Sequence, residues 1–102
     1  MNVADWEGFD WDEGNSRKNT KHGVAKEEVE QVFMNKPLLV ADDVKHSSQE
    51  VRWHALGRTD ADRRLHITFT ERSDGKLIRP ISARSMSRKE RVVYEQAVKA
   101  GS

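Results

Sequence analysis

The sequence predicts an α+β fold, and three observations carry the prediction. Residues 51–70 alternate apolar and polar positions with a period of two, residues 26–33 and 87–98 space their apolar positions at three and four, and Asp74-Gly75 supplies a hairpin turn between two strand-like runs. The strand signals run together and the helix signals stand before and after them, which is the segregated order of an α+β domain.

Taken in order, Trp6 and Phe9-Asp10-Trp11 alternate large rings with acids and predict a short strand with one buried face. The polar run from Asp12 to His22 predicts a short solvated helix stopped by Gly23. In KEEVEQVF, Val29, Val32 and Phe33 fall on one helical face and Glu27 and Glu28 suit a helix N-terminus, so a second helix ends before Pro37. Leu38-Leu39-Val40 is too short for a helix and reads as a buried edge or strand; residues 42–50, with His46-Ser47-Ser48, read as a loop.

Val51, Trp53 and Ala55 then alternate with Arg52, His54 and Leu56, and Leu65, Ile67 and Phe69 alternate with His66, Thr68 and Thr70. Gly57 to Arg63 connects these strands, and a symmetrical pairing sets Gly57 opposite Arg63 and His54 opposite His66. With the apolar set facing the helices, Arg52, His54, His66, Thr68 and Thr70 form an open face. The third strand, Leu77 to Arg84, admits two registers. A two-residue Asp74-Gly75 turn pairs Thr70 with Arg79 on the open face, whereas a three-residue Ser73-Asp74-Gly75 loop pairs Phe69 with Arg79 and buries it. Because an unpaired buried arginine is costly, the first is preferred, with Pro80 as an edge or bulge that re-aims Ser82 and Arg84; the apolar parity of Leu77 and Ile81 points the other way. Ser87 and Glu90 stand at capping-box spacing, opening a last helix with Val93/Ala97 and Tyr94/Val98 at i, i+4. The expected architecture is a small antiparallel sheet, two N-terminal helices packed on one face, and a C-terminal helix.

A length of 102 residues fits one domain over 1–102, with loose ends expected at about 1–5 and 99–102. The absence of cysteine excludes a disulfide scaffold, a thiol nucleophile, an iron–sulfur cluster and cysteine-ligated zinc. No apolar run approaches the roughly 18 residues of a membrane span, and the start is acidic where a secretion signal is basic and then apolar, so the expected location is the cytoplasm, with no membrane partner. The net charge of +1 hides an asymmetry: residues 1–30 hold eight acids against four bases, residues 31–60 balance, and residues 61–102 hold ten bases against five acids. A basic C-terminal third suggests a polyanionic partner.

Arginines, histidines and hydroxyls on one face suit phosphodiester chemistry. Arginine matches phosphate oxygens and stabilises charge developing on phosphorus, histidine exchanges protons near neutral pH, and RNA brings its own nucleophile in the 2′-hydroxyl. Neither HxH nor HExxH is present, and no metal or other cofactor is expected. Each residue also has an ordinary structural role: Tyr94 as core, Arg88 to Arg91 as a solvated helix start, and Trp6, Phe9 and Trp11 as core or interface.

The segments FDWDEGN (9–15), KHGV (21–24), GRT (57–59), FTER (69–72) and IRPISAR (78–84), with Lys89-Glu90 and Tyr94, resemble the BrnT toxin family from about Phe9 to Glu95. The departures are Ser85 and Ser87, where tyrosine and histidine are frequent in that family, and Ala25, where a serine or threonine cap is usual. The resemblance implies a RelE-like fold and a type II toxin that cleaves RNA without a metal and blocks translation. It implies neutralisation by a BrnA-type antitoxin, commonly in a complex of two toxins and two antitoxins that reaches DNA only through the antitoxin. Carried over by position, it offers His22, Arg79, Arg84, Glu90 and Tyr94 as catalytic candidates, with Arg79 and Arg84 on the phosphate. His22 or Tyr94 would move protons, and Glu90 is an alternative base. Lys21, Arg58, Glu71 and Arg72 would contact RNA. The competing expectation is a non-catalytic module whose basic face binds an acidic partner segment or nucleic acid.

Overall fold

The computed structural model describes residues 5–46 and 50–101; the side chains of residues 18–21 and 46 lie outside that description, as do residues 47–49 of the expected 42–50 loop. The described chain runs β1 (Gly8–Phe9), α1 (Glu13–Lys21), α2 (Lys26–Met34), β2 (Leu39–Asp42), a 3₁₀ turn (Val44–His46), β3 (Trp53–Arg58), β4 (Arg64–Arg72), β5 (Leu77–Ser85) and α3 (Arg88–Ala100). The meander expected from period-two alternation forms the centre of a five-stranded sheet ordered β1-β5-β4-β3-β2. β1 pairs parallel with β5, and the other neighbours are antiparallel.

One sheet face makes the core. Ala55, Leu65, Ile67, Phe69, Ile78 and Ala83 meet Val24 and the Val29, Val32 and Phe33 stripe of α2. Phe33 and Phe69 pack edge to face at 5.1 Å, and Trp6 stands edge-on to both at 5.5 Å. The early aromatics therefore close the core of a small domain. Gly57 lets α2 approach β3: a Cβ there would lie 2.6 Å from Val32 Cγ1 and 3.3 Å from the Val32 carbonyl oxygen.

The β3–β4 register differs from the symmetrical expectation by two residues. His66 pairs with Leu56, and His54 pairs with Thr68. The connection is the shorter Thr59–Arg63 loop, closed where Thr59 N donates to Arg63 O at 3.0 Å and Arg63 N donates to Thr59 Oγ1 at 3.1 Å. A shift of two preserves the period-two parity, so the same side chains stay on the open face.

β5 takes the preferred register, with Thr70 opposite Arg79. Asp74 and Gly75 both have positive φ, 57° and 85°, as a type I′ turn demands. Phe69 pairs with Pro80 but Thr68 pairs with Ser82, so Ile81 is the extra residue of a bulge. The bulge returns Arg84 to the open face, opposite His66.

α1 buries no apolar stripe and is anchored by Asn15 instead. Asp12 and Asn15 exchange backbone-to-side-chain bonds of 2.7 and 3.0 Å at the helix start, and Asn15 Nδ2 donates to the Asp10 and Pro80 carbonyls at 3.0 Å. α2 begins at Ala25, whose N–H donates to Glu28 Oε1 at 2.9 Å, while Arg63 Nη1 reaches the same carboxylate and the Gly23 carbonyl. α3 opens with the expected box: Glu90 N donates to Ser87 Oγ at 3.2 Å, and Ser87 N donates to Glu90 Oε1 at 2.8 Å. Tyr94 of α3 lies beneath the guanidinium of Arg64, a residue on the open-face parity of β4.

Candidate active site

The open face carries two cross-strand rows at one end of the sheet. Leu39, Leu56, His66 and Arg84 stand side by side across four strands, and Ala41, His54, Thr68 and Ser82 form the next row. α3 walls this region with Glu90 and Val93, enclosing a cleft of about 470 Å³.

Arg84 and Glu90 face one another as parallel forks, with Nη1–Oε1 at 2.8 Å and Nη2–Oε2 at 3.0 Å. The Arg84 hydrogen bond, with Ser87 N adding to it, holds the Glu90 carboxyl down at about 2. The same pair raises Arg84, whose side chain is 45% exposed at the cleft mouth. A fork already preorganised for a planar anion is the kind of group that binds a phosphate.

Beneath this pair lies His66, nearly buried, its Nε2 at 4.0 Å from Glu90 Oε2. Burial is the main force pushing its pKa down to about 4, and the Arg84 cation pushes the same way against Glu90. At neutral pH the His66 ring is uncharged. His54 tilts over it with ring centroids 4.8 Å apart. His54 Nε2 lies 3.1 Å from Oδ2 of the buried Asp43, and Nδ1 faces Thr68 Oγ1 at 3.4 Å. The cleft thus combines an arginine, a carboxylate and two imidazoles, one of them backed by an acid.

The other sequence candidates sit elsewhere. Arg79 is on the open face as expected, but Asp12 at 2.7 Å and Asp10 at 3.4 Å occupy it in a second cleft. The Asp12 hydrogen bond raises Arg79, and the Asn15 amide together with Arg79 lowers Asp12. Arg72 pairs with Glu50 at 2.8 Å in that same cleft, so both of these arginines are matched by acids. Glu71 shares the parity of Phe69 and accepts from Trp6 Nε1, which points it toward the aromatic cluster instead of outward. Arg58 donates from Nε to the Lys36 carbonyl at 3.0 Å and lines a groove between the ends of α2 and α3. Tyr94 is fully buried, and its hydroxyl donates to the Pro37 carbonyl at 2.6 Å. Desolvation raises its pKa. His22 is exposed in the turn between α1 and α2 and does not line the cleft, and the Lys21 side chain lies outside the described residues. Of the five catalytic candidates, the fold brings Arg84 and Glu90 together, and it adds His54, His66 and Asp43. Strand parity had placed both histidines on this face; nothing in the sequence signalled Asp43, whose approach is made by the β2–β3 pairing.

The model of a family described as the ribonuclease toxin, BrnT, of type II toxin–antitoxin systems matches residues 11–90. The chain belongs to the BrnT family. No curated protein matches the chain. The matched span contains both cross-strand rows of the cleft and ends at Glu90, so within this BrnT chain Tyr94 lies beyond it. Membership makes the protein a ribonuclease toxin by family, with an antitoxin as its partner. Among the described residues of this BrnT protein, no helix is long and apolar enough to cross a membrane. Among the same residues, no group of three or more His, Asp or Glu gathers as a metal site.

Proposed function

We propose that the protein is an endoribonuclease that cuts RNA without a metal ion, in the cleft between the open sheet face and α3, and so arrests translation in the cytoplasm. The observation that carries the reading is the half-exposed Arg84 fork at the mouth of a cleft lined by two histidines and a carboxylate. When the 2′-oxygen of RNA attacks the adjacent phosphorus, negative charge grows on the phosphoryl oxygens; the Arg84 guanidinium, held at the cleft mouth by Glu90, stabilises it by exchanging that carboxylate for the phosphate. Arg79, Glu71 and Tyr94 hold the fold around the site, because none of them lines the cleft and each is bound to a partner outside it. The five-stranded sheet with α3 beside its open face is consistent with a RelE-like toxin. A BrnA-type antitoxin in a two-to-two complex is the partner this reading expects.

The test is cleavage of a messenger transcript by purified protein in excess EDTA, with Arg84→Ala alongside. The expected result is cleavage that survives chelation and falls by about 100-fold or more in Arg84→Ala, with relief of growth arrest. Cleavage abolished by EDTA would refute the metal-free mechanism. Intact RNA from a folded protein that still binds its antitoxin would favour the non-catalytic module.

A further inference from the structure

We propose that His54 and His66 are the proton-transferring pair of this cleft, and that the buried carboxylate of Asp43 is the positioning residue that holds His54 for the task. The inference rests on the ribonuclease reading above. Both rings line the cleft, from adjacent strands, and lie 4.8 Å apart between centroids. Their surroundings differ in a way that separates two roles. His66 is nearly enclosed and faces the Arg84 cation, so its ring is neutral and has a lone pair to offer. His54 is one-third exposed and has Asp43 Oδ2 at 3.1 Å from Nε2, which fixes the ring and supplies a counter-charge whenever the ring carries two protons. Among the described residues its Nδ1 has only the loose 3.4 Å contact with Thr68 Oγ1, and it is the atom that releases a proton into the cleft. Among the described residues the charged groups facing the pair are Asp43 from the β2–β3 connection, Arg84 from β5 and Glu90 from α3; β2 contributes Leu39, Val40 and Ala41.

The chemistry balances without any further reactant. The neutral His66 ring takes the proton of the 2′-hydroxyl as the 2′-oxygen forms a bond to phosphorus. The bond from phosphorus to the 5′-oxygen breaks, and the protonated His54 ring gives that oxygen its proton. The products are a 2′,3′-cyclic phosphate and a 5′-hydroxyl, with His66 charged and His54 neutral. A phosphate arriving at Arg84 brings negative charge beside His66 and offsets the cation that disfavours its protonation, so the base strengthens when substrate is bound.

The experiment uses the full-length chain in EDTA and an RNA oligonucleotide carrying a linkage the wild type cuts, made with either the ordinary 5′-oxygen or a bridging 5′-sulfur. A thiolate leaves without needing a proton, so sulfur removes the demand for an acid and leaves the demand for a base. His54→Ala and His66→Ala should each lower kcat on the oxygen substrate by about 100-fold or more. The sulfur linkage should restore His54→Ala and leave His66→Ala slow. Asp43→Asn should lower kcat at least about 10-fold with little change in KM on the oxygen substrate, and the sulfur linkage should restore it as it restores His54→Ala. Melting curves and antitoxin binding establish that each variant folds, and His54→Gln and His66→Gln replace any alanine variant that does not. A wild type that cuts no RNA overturns the ribonuclease reading and this pair with it. A wild type that cuts, with either histidine variant keeping more than a tenth of its kcat, overturns the pair alone. Sulfur that rescues both variants, or neither, overturns it as well.

Discussion

Replacing His66 with glutamine tests the electrostatics of the cleft through stability, independently of catalysis. Folding holds His66 near a pKa of about 4 from an ordinary value of 6.5, chiefly by burial. Between those pH values the unfolded chain binds a proton at this residue and the folded chain does not, so stability rises with pH across the window and is lost as pH falls. Each step of one in pH inside that window is worth about 1.4 kcal/mol, so acidification from pH 7.5 to 5 should cost the folded state about 2 kcal/mol through His66 alone. In a domain of this size that corresponds to a melting temperature lower by about 10 °C. Other groups also titrate as the pH falls, so the quantity to measure is the difference between proteins. Urea unfolding of wild type and His66→Gln at a series of pH values from 7.5 to 5 should give curves that converge on acidification, with the variant missing the His66 part of the slope. Parallel curves would show that the ring is protonated in the folded protein with no penalty, and the reasoning about its burial would fail.

Other outcomes follow from particular contacts. Tyr94→Phe removes only the bond to the Pro37 carbonyl and should cost about 1 kcal/mol in urea unfolding while RNA cleavage stays at the wild-type rate. Gly57→Ala forces a methyl against Val32 and should destabilise by about 1–3 kcal/mol, read as a lower denaturation midpoint with an unchanged slope. Phe69→Ala empties the centre of the aromatic cluster and should cost about 3–5 kcal/mol by the same measurement. Glu90 is held at about 2 from an ordinary 4.5, so its contribution is present above pH 4.5 and disappears as pH falls toward 2; Glu90→Gln should flatten that part of the acid-unfolding curve.

The sequence carried those features of the fold that depend on parity and local chemistry. The faces of β3 and β4 were legible because alternation survives a register shift of two; the register was not, since it depended on how tightly Thr59 and Arg63 close the loop. Ser87 and Glu90 announced α3 through their spacing, and Pro80 announced the irregularity of β5. The edge strands were harder: β1 has two residues, and its parallel pairing with β5 depends on tertiary placement. In the cleft, strand alternation gave the open face and the family resemblance gave Arg84 and Glu90. The partners of Arg79 could not be read, because Asp10 and Asp12 reach it from the β1–α1 segment, 67 residues away in the chain for Asp12. Glu71 was readable in principle, since it has the parity of Phe69 and so belongs to the core side.

The bulge at Ile81 makes β5 a strand with two reading frames. Arg79 and Arg84 are an odd number of residues apart and yet face the same way, because one residue between them is skipped by the ladder. Were all nine residues of β5 paired in unbroken alternation, with none skipped, whichever half kept its pairing would turn the other over. Keeping Arg79 with Asp12 would drive Arg84 into the core, and keeping Arg84 beside His66 would pull Arg79 away from its acids. The skipped residue is therefore what lets two arginines five positions apart share one face, and a chain lacking Ile81 would keep both where they are, four positions apart on a regular ladder.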